Sequence, residues 1–260
     1  MPKFSADLTM MFNEVDFLDR FRAAADSGFK VVEFQSAEGH STEVIQQQLE
    51  EAGVKLVKLS FSSETSDAAK DGVAILPGRE PEFRKCLQSA IEATFTLGCP
   101  SIFNLAGVRP PGVTRDACLK TYVENLRWAT GALAEFGLRL LIEPINQHGV
   151  PGYFLSRTEE ALEVIDRVEA DNLLLLYDIY HAQIAEGNLA QTLREHIDRI
   201  GHIHIAGVPG RHEPDFGEIK YPYLFELLDE LGYDGWVGAE YRPRAGTVQG
   251  LGWARGYGIG

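Results

Sequence analysis

The sequence predicts one (β/α)8 barrel, a single TIM-barrel domain over residues 1–260, and three observations predict it. A local pattern recurs six times, an amphipathic stretch, a small or polar residue, a glycine and an apolar strand: DSGFKVVEF, EAGVKLVKL, TLGCPSIFNL, EFGLRLLIEP, RIGHIHIAG and ELGYDGWVGAE. Two further apolar runs, KFSADL near the start and NLLLLYD at 172–178, bring the strands to eight. Near-continuous apolar strands, each followed by a helix, form a parallel sheet buried on both faces. An open doubly wound sheet is the alternative, but no GxGxxG follows the first strand, and eight units close a barrel without remainder.

Each element follows from local chemistry. Gly28, Gly53, Gly98, Gly137, Gly201 and Gly232 stand where a helix closes with a left-handed residue before the chain turns into a strand. Helical spacing of apolar residues appears at Phe83, Leu87, Ala90, Ile91 and Phe95, and again at Leu119, Tyr122, Val123, Leu126, Ala129, Leu133 and Phe136. Ser156 and Glu159 form a capping box that opens a third helix. Tyr221, Leu224, Leu227, Leu228 and Leu231 mark the last. Tyr221, Tyr223, Trp236 and Trp253 are expected in the outer-shell core rather than at a subunit contact, with oligomer formation left open. The terminal RGYGIG is expected to be mobile.

Composition limits the function classes. Hydrophobic residues make up 45% and charged residues 24%, a globular balance with no run long enough to span a membrane. The start, MPKFSADLTMM, lacks the apolar core of a signal peptide, so a cytoplasmic protein is expected. A net charge of −14 opposes a nucleic-acid partner, because phosphate backbones are bound by clustered Lys and Arg. Cys86, Cys99 and Cys118 form no CxxC pair and suggest a reducing compartment.

Active sites of such barrels lie at the C-terminal ends of the strands. Four polar residues end apolar runs there: Glu143 in LRLLIEP, Asp178 in LLLLYD, His204 in GHIHIAG and Glu240 in WVGAE. Their separations of 35, 26 and 36 residues are each about one βα unit, which places them on consecutive strands at one level. Three carboxylates and an imidazole on apolar strands need a shared counter-ion, and this donor set suits one divalent metal ion, Mg²⁺ or Mn²⁺, with Co²⁺ a further candidate. His202 shares a face with His204 but lies roughly 6–7 Å lower, too deep to share the metal and placed to support a ligand carboxylate.

Other candidates surround these four. His181 in YDIYHAQ falls just after strand six, on the rim, and Arg211 in VPGRHEP can clamp an anionic substrate group with its planar donor fork. Glu33 ends strand two as a supporting group, while Lys58 can point inward or pair outward. His40, His148, His196 and His212 read as solvated, with His148 and His212 the nearest to the rim. Two long loops, SFSSETSDAAKDGVAILPGRE and HIAGVPGRHEPDFGEI, are expected to border the site.

On these residues the chain resembles the hydroxypyruvate isomerase family, within the xylose-isomerase-like barrels that include 2-oxo-tetronate isomerases and ketose 3-epimerases. The resembling stretches are FSADLTMMF, LPGRE, ENLRWA, LLIEPIN, YDIYHAQ, GEIKYPYLF and GYDGWVGAEYRPR. The resemblance implies that Glu143, Asp178, His204 and Glu240 hold the metal, with Glu143 and Glu240 transferring the proton between hydroxypyruvate and tartronate semialdehyde. A 2-oxo-tetronate isomerase or a ketose 3-epimerase would use the same pair, so the implied partner is a small hydroxy-oxo acid or sugar. The chain departs from the family in three places: His204 stands where Gln is common and where ketose 3-epimerases have His, SFSSETSDAAKDG replaces an Asn-Thr-Pro-Pro-Gly-Asp-like run, and Asp7 replaces Asn. Endonuclease-IV-like hydrolysis on the same barrel calls for more histidines and a cationic surface. A catalytically idle sugar-acid sensor would not need two Glu facing one metal.

Overall fold

A computed structural model describes residues 1–37, 39–61 and 72–260, with the Phe61 side chain excepted. Eight parallel strands close into a barrel in sequence order: β1 (Lys3–Asp7), β2 (Val31–Phe34), β3 (Lys55–Phe61), β4 (Ser101–Asn104), β5 (Arg139–Ile142), β6 (Leu173–Asp178), β7 (Ile200–Ile205) and β8 (Trp236–Ala239). β8 pairs with β1 from Lys3↔Trp236 to Ala6↔Ala239, which seals the ring. Outside lie α1 (Phe17–Asp26), α2 (Thr42–Ala52), α3 (Glu80–Leu97), α4 (Arg115–Ala134), α5 (Thr158–Val168), α6 (Ile179–Ala185), α7 (Leu189–His196), α8 (Tyr221–Glu230) and the short α9 (Thr247–Gly250). Among the described residues no helix is long and apolar enough to cross a membrane.

Five of the six glycines close helices as expected, with φ between 63° and 97°. Gly201 does not. It lies inside β7, where the β6 register jumps from Leu175↔Ile200 to Leu176↔His202, so one extra residue forms a bulge. A Cβ at Gly201 would stand 2.8 Å from Leu141 Cδ2 and 2.9 Å from Leu174 Cβ; glycine is present because two strands crowd it.

Four other expectations need correction. The box at α5 joins Ser156 to Glu160, not Glu159: the Ser156 N–H donates to Glu160 Oε2 at 2.7 Å. Phe95 and Phe136 are exposed and meet edge to face at 5.0 Å, each covering part of the other. Tyr223 is exposed, whereas Tyr221 is buried and Trp253 packs on Phe4 and Tyr241. The terminal RGYGIG is docked: Tyr257 packs on Phe4 and Phe225, Ile259 is buried, and the Gly260 N–H donates to Ser27.

Candidate active site

The barrel brings the four strand-end residues together. Asp178 pairs with His204 across β6 and β7, and the Glu240 N–H donates to the Ile205 carbonyl beside them. One ligand atom from each of Glu143, Asp178, His204 and Glu240 lies within 4.8 Å of the others, and all four are buried. Three carboxylates this close, removed from water, repel one another. Burial and repulsion by Asp178 and Glu240 push the Glu143 carboxyl up to about 8. Burial acts the same way on Glu240, but Arg211 and His204 outweigh it and hold that carboxyl well below its ordinary range.

The arrangement fits a divalent cation. Glu143 Oε1 and His204 Nδ1 are buried without a hydrogen-bond partner, and each faces the cluster. His204 Nδ1 stands 3.8 Å from Glu143 Oε1 and 3.1 Å from Glu240 Oε2. Unpartnered buried donors and acceptors are costly, and a cation shared by all four relieves them together.

A second polar layer lies beneath. Glu33 is fully buried, and its carboxylate accepts from Ser5 Oγ at 2.7 Å, His202 Nε2 at 3.1 Å and His204 Nε2 at 3.1 Å. Lys58, whose direction the sequence leaves open, points inward: its Nζ lies 3.3 Å from Glu33 Oε2 and 5.0 Å from the Phe103 ring centre. Burial alone would raise the Glu33 carboxyl, but His202, Lys58 and His204 hold it well below the carboxylate range. His202 sits one layer under His204, ring centres 5.0 Å apart, and contacts Glu33 rather than a ligand carboxylate. Asp7 is also fully buried, level with Glu33 across β1 and β2. Its Oδ1 accepts from the Thr9 and Met10 N–H groups while Oδ2 has no partner, and burial followed by repulsion from Glu240 pushes the carboxyl up to about 7.

His181 is not on an exposed rim. It is buried in the first turn of α6, whose N-terminus Asp178 caps through the Tyr180 and His181 N–H groups. The Gly149 N–H donates to Asn146 Oδ1 at 2.7 Å, which fixes the amide so that Asn146 Nδ2 donates to His181 Nδ1 at 2.6 Å. His181 Nδ1 is therefore an acceptor and its proton sits on Nε2, 3.6 Å from Asp178 Oδ2. Burial lowers this imidazole to about 4, so it is neutral at physiological pH.

Arg211 takes φ of 58° in the loop after β7, an unfavourable conformation for a side-chain-bearing residue, and its carbonyl accepts from the Arg242 N–H at 2.7 Å. Its Nη2 donates to Asp178 Oδ2 at 3.1 Å and more closely to Glu240 Oε2, while the buried Nε has no partner. The Tyr180 ring packs on the guanidinium.

Sequence reasoning missed two contacts. Gln35 Nε2 donates to Glu240 Oε1 at 2.7 Å, and Asn146 holds His181. The Asn146 signal lay in the Glu-Pro-Ile-Asn run; Gln35, just past a strand end, gave none. His148 lines a cleft of about 710 Å³ with Asn146, Arg157 and Tyr180. His212 turns away and donates through Nδ1 to the Arg242 carbonyl, and His40 stacks on Phe17. Of the two long loops, residues 62–71 lie outside the described residues.

Residues 21–257 match the family model described as "Xylose isomerase-like TIM barrel". The chain belongs to this family. Within the xylose isomerase-like barrels it is 48% identical to a 2-oxo-tetronate isomerase of Cupriavidus necator over 259 residues, covering 99% of each chain. It is 43% identical to a hydroxypyruvate isomerase of Escherichia coli, covering 99% of this chain and 100% of that one. A solved structure described as "AP endonuclease, family 2" from Brucella melitensis is 41% identical with a TM-score of 0.96, covering 99% of each chain. Full-length likeness to isomerases at this level makes this xylose isomerase-like barrel an isomerase.

Proposed function

We propose that the protein is a metal-dependent isomerase that interconverts hydroxypyruvate and tartronate semialdehyde. The observation that carries this reading is the pair Glu143 and Glu240, two buried carboxyls that converge in one four-residue cluster at the C-terminal ends of the strands. Two carboxyl groups facing one site can supply a base and an acid to the same substrate. Glu240 is ionised and acts as the base that takes a proton from the carbon next to the carbonyl. Glu143 acts as the acid that returns one to the neighbouring carbon while the hydroxyl proton passes to the former carbonyl oxygen, and the roles exchange in reverse.

Glu143, Asp178, His204 and Glu240 would hold Mg²⁺ or Mn²⁺, with Co²⁺ a further candidate, and a bound divalent ion supplies stabilisation of developing oxyanion charge. The free Nε of Arg211 offers a donor to the substrate carboxylate, and the neutral His181 offers its Nε2–H to a substrate oxygen. Tyr180 beside Arg211 helps exclude water from that contact.

A second reading, isomerisation of 2-oxo-tetronate, is favoured by the 48% identity to the Cupriavidus protein. Ketose 3-epimerisation draws on the same carboxylates. Phosphodiester cleavage, suggested by the description of the Brucella structure, is opposed by the net charge of −14.

Glu143→Gln and Glu240→Gln, assayed with hydroxypyruvate and 2-oxo-tetronate, are each expected to lower kcat by about 10²–10⁴ with the far-UV circular dichroism unchanged. Near-native turnover by either variant would remove the proton-transfer assignment.

A further inference from the structure

Glu33 carries a concentration of contacts that the isomerase chemistry does not use. An ionised carboxylate is acceptor-only and offers about four lone-pair sites. Three hydrogen-bond donors, Ser5 Oγ, His202 Nε2 and His204 Nε2, and the ion-paired Lys58 Nζ converge on Glu33. All four side chains that contribute them are buried, apart from water. The barrel makes room for this convergence at one point, because a Cβ at Gly238 would lie 2.1 Å from Glu33 Oε1 and 2.7 Å from His204 Cδ2.

The consequence falls on His204. Its Nε2 must carry a proton to donate to Glu33, so the lone pair of a neutral ring is left on Nδ1. That nitrogen stands 3.1 Å from Glu240 Oε2 and 3.8 Å from Glu143 Oε1, and it has no hydrogen-bond partner. We propose that Glu33, its charge held by Lys58, is a positioning residue that fixes the orientation and tautomer of His204 so that Nδ1 is the atom presented to a metal. This rests on the metal-dependent reading above.

A partner on the far nitrogen of a ligating histidine tunes the metal, and its loss commonly weakens binding by about 10–100-fold. Glu33→Gln alone would strand the buried Lys58 charge, so the test uses Glu33→Gln combined with Lys58→Met in the full chain, with Lys58→Met as control. Mn²⁺ affinity of the purified proteins is measured by titration calorimetry. The double variant is expected to bind Mn²⁺ about 10–100-fold more weakly than the control. Equal affinity in the two would overturn the proposal.

Wild-type protein loaded with Zn²⁺ gives a second readout that needs no variant to fold. Long-range ¹H–¹⁵N spectra are expected to show His204 with Nε2 protonated and Nδ1 coordinated. Coordination through Nε2, or a proton on Nδ1 of the loaded protein, would also overturn it. The metal reading fails separately, if wild-type protein binds no divalent ion; the metal-free spectrum then decides the Glu33 contact, and loss of the Nε2–H signal there refutes it.

Discussion

Asp7 shows how one buried residue couples the site to pH. Its carboxyl is raised to about 7 in the folded chain, against about 3.9 in an unfolded one. Between these values the folded state binds the extra proton, so stability falls as pH rises, and the contribution present below pH 4 is lost above 7. Asp7→Asn keeps the Oδ1 cap of Thr9 and Met10 and has no proton to lose. In chelator-treated protein this variant is expected to match wild type near pH 4 and exceed it at pH 8 by on the order of 4 kcal/mol. Urea melts across that range check it, and a difference that does not vary with pH would contradict the assignment. The convergence of four strand-end residues was legible at this scale because Glu143, Asp178 and Glu240 each terminate an apolar run. Gln35 and Asn146 were not, because Gln35 reaches Glu240 across 205 positions and Asn146 is aimed by a loop.

At the scale of elements, β7 carries the imidazole of the four-residue cluster, and its bulge sets the level of that ring. The extra residue at Gly201 shifts the β6 register so that His202 faces Leu176 and His204 faces Asp178. Gly201→Ala would drive a methyl against Leu141 and Leu174, an overpacking that typically costs about 1–3 kcal/mol. A lowered urea midpoint is expected, and an unchanged one would mean that the strands yield without cost. Period and glycine spacing revealed all eight strands and their order. They could not reveal the bulge, because a glycine that ends a helix and one that kinks a strand leave the same mark in a sequence, and only the neighbouring strands distinguish them.

The whole molecule separates two tasks by depth. Its C-terminal mouth gathers three carboxylates, one imidazole and Arg211, while the layer below holds Glu33, Lys58 and His202 in a charge-balanced network that leaves His204 Nδ1 facing the mouth. The barrel closure that aligns these layers follows from the αβ repeat, so the fold and the convergence of the four strand-end residues were readable together. The central claim is proton transfer between adjacent carbons by Glu143 and Glu240, and the direct test is the isomerisation of hydroxypyruvate in D2O by the Mg²⁺- or Mn²⁺-supplied protein, followed by NMR. Solvent deuterium at C2 of the tartronate semialdehyde product is the expected result; a product formed with hydrogen alone at C2 would mean a hydride shift or return of the same proton by a single base, and would contradict it.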